Sequence, residues 1–181
     1  YNYIDLNDVA IGEVWRCAGQ INMALSASSG IKQAIEESPH ANNNKIRLFY
    51  DEKSASDHLQ EDCKGHWVVC NPEDFKRFSA IGYFFGKKLQ ENLHQPVGLI
   101  NANWEGTSAE VWTPADLIQN DSLMRSAVGK VWKSDEWWPS TPGVCYNAMI
   151  NPIINYKIAG AIWYQGESNS DASDSYQKTF S

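Results

Sequence analysis

The sequence has little of what would tie it to a charged polymer or a membrane. Fifteen Lys and Arg against 22 Asp and Glu leave a formal net charge of -7 over 181 residues, whereas nucleic acid and anionic lipid both require a basic face. No run of about 18 apolar residues occurs, so no transmembrane helix is expected, and the amino end lacks the basic-then-apolar pattern of a signal peptide. The cysteines, Cys17, Cys63, Cys70 and Cys145, are scattered, which is weak material for a disulfide framework in a chain this long. Internal repeats, low-complexity stretches and linkers are also missing, so nothing marks a domain boundary. What remains is one unit, 1–181, long enough to bury roughly 70% of its unfolded surface. A neutral or polar small ligand is the partner class that fits.

Metal-ligating patterns are nearly absent too. "CKGHWVVC" places Cys63, His66 and Cys70 close together, but no fourth ligand has matching spacing, and a strand with half-buried thiols is the simpler reading. No cofactor is called for.

Hydrophobic patterning then gives the elements. Strands are expected near Val14–Ala18, Lys45–Tyr50 ("KIRLFY"), Val97–Asn101 and Gly160–Tyr164, with a further short strand in "HWVVCNP" and a surface loop over 51–65. Short helices are expected at Ile31–Glu37 and through Tyr146–Ile150. In "SAIGYFFGKKLQENL" the apolar residues Ile81, Phe84, Phe85 and Leu89 recur at helical spacing. "WTPADLI" offers Thr113 as a helix cap with Pro114 at the first helical position. Alternating strands and helices predict an α/β fold, a parallel sheet covered on both faces.

Three strands end in polar turns: after Ala18 ("GQINM"), after Asn103 ("WEGTSAE") and after Tyr164 ("QGESN"). In a parallel sheet the carboxyl ends share one rim, so these turns converge. They bring together Gln20, Asn22, Trp104, Gly106, Thr107, Gln165, Glu167 and Asn169, a set of amides, one carboxylate, one small residue and an aromatic wall. Acyl transfer uses N–H donors aimed at an oxyanion, with a nucleophile, a base and an orienting acid. Taken alone, Glu167 reads as a solvated loop acid and Gly106 as a turn glycine. Ile21, at the tip of the first turn, has no chemistry to offer.

"GEVWRCAGQINM", "PVGLINANWEGTSAEVW" and "GAIWYQGESN", with "FSAIGYFFGKKL" and "CYNAMINP" between them, resemble in order the blocks of the sialate O-acetylesterase family of SGNH hydrolases, from about Ile11 onward. The resemblance implies a three-layer sandwich with a flavodoxin-like sheet, an O-acetylated sugar as substrate and an extracytoplasmic location. It places the nucleophilic serine of G-Q-S-N-M on Ile21 and an oxyanion-hole N–H on Gly106. Gln165 becomes an oxyanion or substrate contact, Asn169 a competing amide donor, and Glu167 the partner of the catalytic histidine. Gln20, Asn22, Trp104 and Thr107 become substrate contacts.

The family's histidine belongs to a late D-x-x-H block, and none of His40, His58, His66 and His94 stands in such a pattern. The chain is therefore expected to be an incomplete esterase unit, inactive with isoleucine at position 21. Its uncovered sheet face would be hidden by a missing carboxyl-terminal segment or by self-association. A glycan-binding protein without catalysis and an inactive fragment are the alternatives. Among the tryptophans, Trp15 and Trp163 read as core, and Trp104 and Trp112 as ligand contacts. Trp132, Trp137 and Trp138 read as either an aromatic platform for a sugar or packing under a long loop.

Overall fold

Period-two alternation sorts the strand residues onto two apolar faces, and both faces are buried. In the computed structural model, which describes residues 3, 5–131 and 133–179, five strands form one sheet in the order β3–β2–β4–β1–β5. β1 (Glu13–Gly19), β2 (Asn43–Asp51), β4 (Val97–Asn103) and β5 (Gly160–Tyr164) run parallel. β3 (Gly65–Cys70) pairs antiparallel to β2. The four strands expected to form a parallel sheet do so, and β3 adds an antiparallel edge that makes the sheet mixed. The connection between β2 and β3 contains no helix to cross a face, so the chain folds straight back along its neighbour. Trp132 lies outside the described residues.

One face carries Cys17, Ile46, Leu48, Val97 and Leu99 into a core completed by Ala34, Phe75 and Tyr83. These last come from α2 (Lys32–Glu37), α3 (Pro72–Phe75) and α4 (Ala80–Leu93). The other face carries Ile100 and Ala102 against Val111, Trp112, Cys145, Ala148 and Met149. That layer is made of a 3-10 turn at Ala109–Trp112 and a π turn at Tyr146–Ile150, where a short helix was expected. The three layers are those the sequence implied. Trp112 is a correction: it is a core residue, its indole N–H donating to Thr107 Oγ1 at 3.0 Å.

The inner face of α4 differs from the expected stripe. Ala80, Gly82, Tyr83 and Gly86 are its buried residues, while Ile81 points outward and Phe84, Phe85 and Leu89 are only partly buried. The helix lies too close to the sheet for large side chains in between. A Cβ on Gly86 would stand 2.6 Å from Leu99 Cδ1, and one on Gly82 would stand 2.8 Å from Cys17 Sγ. Gly86→Val is expected to cost about 1–3 kcal/mol through overpacking, read as a lower urea midpoint with unchanged slope.

Thr113 is not a helix cap. Its hydroxyl donates back to the Ala109 carbonyl at 3.1 Å, and Pro114 takes the cap position of α5 (Ala115–Asn120). The loop after β2 lies over the second face, held by Asn147 Nδ2 on the Ser56 carbonyl (3.0 Å) and Asn151 Nδ2 on the Gln60 carbonyl (2.9 Å).

Beneath that loop the second face holds a buried ion pair, Arg16 and Asp51, 3.9 Å apart with side chains 6% and 0% exposed. Arg16 Nη2 also donates to the Met149 carbonyl at 3.1 Å. Burial pushes the Asp51 carboxyl up to about 7 against the opposing pull of Arg16. A raised carboxyl binds more protons in the folded state, so its contribution to stability is present below its ordinary range and is lost as pH rises through about 7. Between pH 5 and pH 8 the protein should therefore lose about 2 kcal/mol relative to Asp51→Asn, in which this titration is absent. Urea unfolding of both proteins at the two pH values measures it. An unchanged difference from Asp51→Asn across that interval would mean that Arg16 holds the carboxylate ionised throughout.

Candidate active site

Strand register brings the three polar turns together. Gly19 of β1 stands opposite Asn103 of β4 on one side and Tyr164 of β5 on the other, so all three strands end in one row. Backbone bonds join the turns at their roots: the Gln20 N–H donates to the Tyr164 carbonyl and the Trp104 N–H to the Gly19 carbonyl, both at 3.0 Å.

Side chains continue the weave. Gln20 is buried; its Oε1 accepts from the Gly166 and Ser168 N–H groups at 3.3 Å, and its Nε2 donates to Ser168 Oγ at 3.3 Å. Ser168 Oγ donates in turn to the Gly106 carbonyl at 2.9 Å. At the open surface Asn22 Nδ2 donates to Glu167 Oε1. Ile21 opens the short helix α1 (Ile21–Ala24) at the edge of this row, 47% exposed.

The amide orientations follow from partners that allow only one reading. Asn169 Oδ1 accepts from the Ala109 N–H at 2.9 Å, so its Nδ2 faces Glu110 and donates to both carboxylate oxygens at 3.1 and 2.9 Å. Gln165 Nε2 donates to the Thr107 carbonyl at 3.1 Å and to Asn169 Oδ1 at 2.7 Å. Flipping either amide would set oxygen against oxygen. The amide nitrogens of Gln165 and Asn169 are therefore both engaged inside the protein, and Gln165 Oε1 is buried without a hydrogen-bond partner among the described residues. By contrast, no hydrogen bond uses the backbone N–H of Ile21 or Gly106 among the described residues.

Gly106 is buried with φ +73°, and a Cβ there would stand 2.3 Å from Cδ2 of Trp138, whose ring covers this turn. Thr107 Oγ1 donates to the Trp104 carbonyl at 2.6 Å, closing the turn. Trp104 is half-buried, and its indole N–H donates to the Trp137 carbonyl at 2.6 Å. Lys53, from the loop after β2, pairs with Glu105 and ties that loop to the same rim.

Two residues of this network were unassigned in the sequence, Glu110 and Ser168. Glu110 had a signal: it is an acid between Ala109 and the apolar pair Val111 and Trp112, all buried. Ser168 had none beyond lying in "QGESN".

The four histidines are exposed, and none shares a hydrogen bond with the site turns among the described residues. His40 and His94 precede β2 and β4 and so lie toward the opposite rim. No group of three or more His, Cys, Asp and Glu side chains is placed to hold a metal among the described residues. Cys70 Sγ donates to the Ala41 carbonyl, His66 stacks on Tyr50 and Cys63 stands in the loop. No helix among the described residues is long and apolar enough to cross a membrane.

Comparison with known proteins agrees with this arrangement. Sialate O-acetylesterases of Pongo abelii and Homo sapiens are 32% and 31% identical to it over 184 aligned residues, covering 97% of this chain and 35% of each relative. The chain thus spans about a third of the length of these curated relatives. A crystal structure of a carbohydrate acetylesterase from Xanthomonas citri superposes with a TM-score of 0.78 at 29% identity, covering 93% of this chain and 36% of that one. Residues 11–181 match the family model described as carbohydrate esterase, sialic acid-specific acetylesterase, and the chain belongs to that family.

Proposed function

We propose that residues 1–181 form one unit of a serine-type carbohydrate O-acetylesterase acting on O-acetyl esters of sialic acid or a related sugar. With isoleucine at the nucleophile position, the chain as given is inactive. The observation that carries this reading is the single row of Gly19, Asn103 and Tyr164, from which the turns bearing position 21, Gly106 and Glu167 leave one edge of the sheet.

In this reading a serine at position 21 attacks the acetyl carbonyl, and the tetrahedral oxyanion is met by the unspent N–H groups of Gly106 and residue 21. Glu167, already holding Asn22, orients the imidazole supplied by the family's D-x-x-H block. Gln165 serves through its unpaired Oε1, as an acceptor for substrate or for a bound water. Asn169, Gln20 and Thr107 hold the turns in place, and Asn22 and Trp104 border the substrate.

The test is acetate release from 9-O-acetyl-N-acetylneuraminic acid by Ile21→Ser in a chain carried to the length of its relatives. Turnover is expected. Tight binding of the acetylated sugar with no acetate released would overturn the esterase reading and leave glycan binding without catalysis.

A further inference from the structure

One feature of the rim has no part in the acyl-transfer chemistry. Trp137 is 69% exposed, against 39% for Trp67, the other exposed tryptophan among the described residues. Exposing an indole to water is unfavourable, and a loose loop would let it fold inward. This loop is fixed. The Asp135 N–H donates to the Trp138 carbonyl at 3.1 Å in an isolated antiparallel bridge, which makes Trp137 the tip of a tight turn. Trp138 packs over Gly106, and its indole N–H donates to the Lys133 carbonyl. The Trp137 carbonyl is held by Trp104. The scaffold that shapes the Gly106 turn therefore also presents the Trp137 ring.

We propose that Trp137 is a stacking platform for a pyranose ring of the O-acetylated substrate, at a subsite adjoining the Gly106 turn; this rests on the acetylesterase reading. A pyranose carries an apolar face of C–H groups that matches one indole, with hydroxyls at its edge for polar neighbours. Lys133, Asp135 and Glu136 are exposed beside Trp137 and supply that rim. A protein partner fits poorly, because a specific interface buries on the order of 1,200–2,000 Å² and this apolar patch is a single ring edged by charges.

Isothermal titration separates the subsite from the esterase reading. The chain as given is titrated with methyl β-D-xylopyranoside and its 3-O-acetyl ester, and with N-acetylneuraminic acid and its 9-O-acetyl ester. Trp137→Ala should weaken every sugar that binds by about tenfold, acetylated or not, while Trp137→Phe stays within about threefold. Binding by the xylosides alone would assign the platform to neutral sugars, and by the sialic acids alone to acidic ones. If acetylation adds no affinity while Trp137→Ala still weakens binding, the platform stands and the esterase reading fails. If acetylated sugars bind better and Trp137→Ala leaves them unchanged, the platform falls and the esterase reading survives. Absence of binding by every probe would overturn the platform. Unchanged thermal midpoints for both variants are expected, since the Trp137 ring lies outside the core.

Discussion

Ile21→Ser in the chain as given should leave acetate release at background, and so should extension of the chain through a D-x-x-H block that keeps Ile21. Both changes together should raise kcat by about 10⁶-fold over either alone. The non-additivity is the informative part. A serine hydroxyl is a weak nucleophile until a base takes its proton, and a base without a nucleophile can only assist water. Among the described residues, none of the four histidines shares a hydrogen bond with the turns that follow Gly19, Asn103 and Tyr164, so the proposal assigns the base to none of them. The four proteins are compared by acetate release from an acetylated sialic acid and from a small aryl acetate. Clear turnover by the short chain carrying Ile21→Ser alone would mean that one of its own histidines reaches position 21. Glu167 would then lose its proposed role.

The rim was legible in the sequence because the signal for it is local. An apolar run that stops at a polar turn marks a strand's carboxyl end, and parallel register then carries three such ends to one edge whatever their separation along the chain. Side-chain roles were less legible, because they depend on which partner wins each hydrogen. Gln165 and Asn169 read as amide donors from their residue types, yet the Thr107 carbonyl and the Glu110 carboxylate take their N–H groups. The two competitors stand 58 and 59 residues away. The inner face of α4 was misread for a related reason. Periodicity finds the largest apolar residues, but the distance between helix and sheet decides which of them fit beneath, and here Gly82 and Gly86 fit where Phe84 and Phe85 do not. Likewise β3 could be recognised as a strand but not as antiparallel, since direction is set by whether the connection crosses a face. Ile21 was plain from the start, and the structure adds only that its side chain lies open at the rim.

Glu110→Ala is expected to destabilise the chain by about 3 kcal/mol or more, an unusually large effect for a residue outside both apolar cores. Glu110 is 0% exposed, and no cation pairs with it among the described residues; both of its oxygens lie within hydrogen-bond distance of Asn169 Nδ2 and share its N–H. Truncation strands that donor in a buried site, at about 1–3 kcal/mol, and leaves a cavity whose lining loses its contacts at further cost. The damage then passes along the amides. Asn169 Oδ1 is the acceptor for the Ala109 N–H and for Gln165 Nε2, so a freed Asn169 loosens the turns after β4 and β5 together. Glu110→Gln should cost less, about 1–2 kcal/mol, since its amide oxygen still accepts from Asn169 Nδ2 while its NH₂ faces the same donor nitrogen. Urea unfolding of the two variants, of Asn169→Ala and of the double Ala variant measures the coupling, which should reach about 1–2 kcal/mol for residues in direct contact. Strict additivity, or a Glu110→Ala protein within about 0.5 kcal/mol of the parent, would show that the carboxylate is not the anchor of this network.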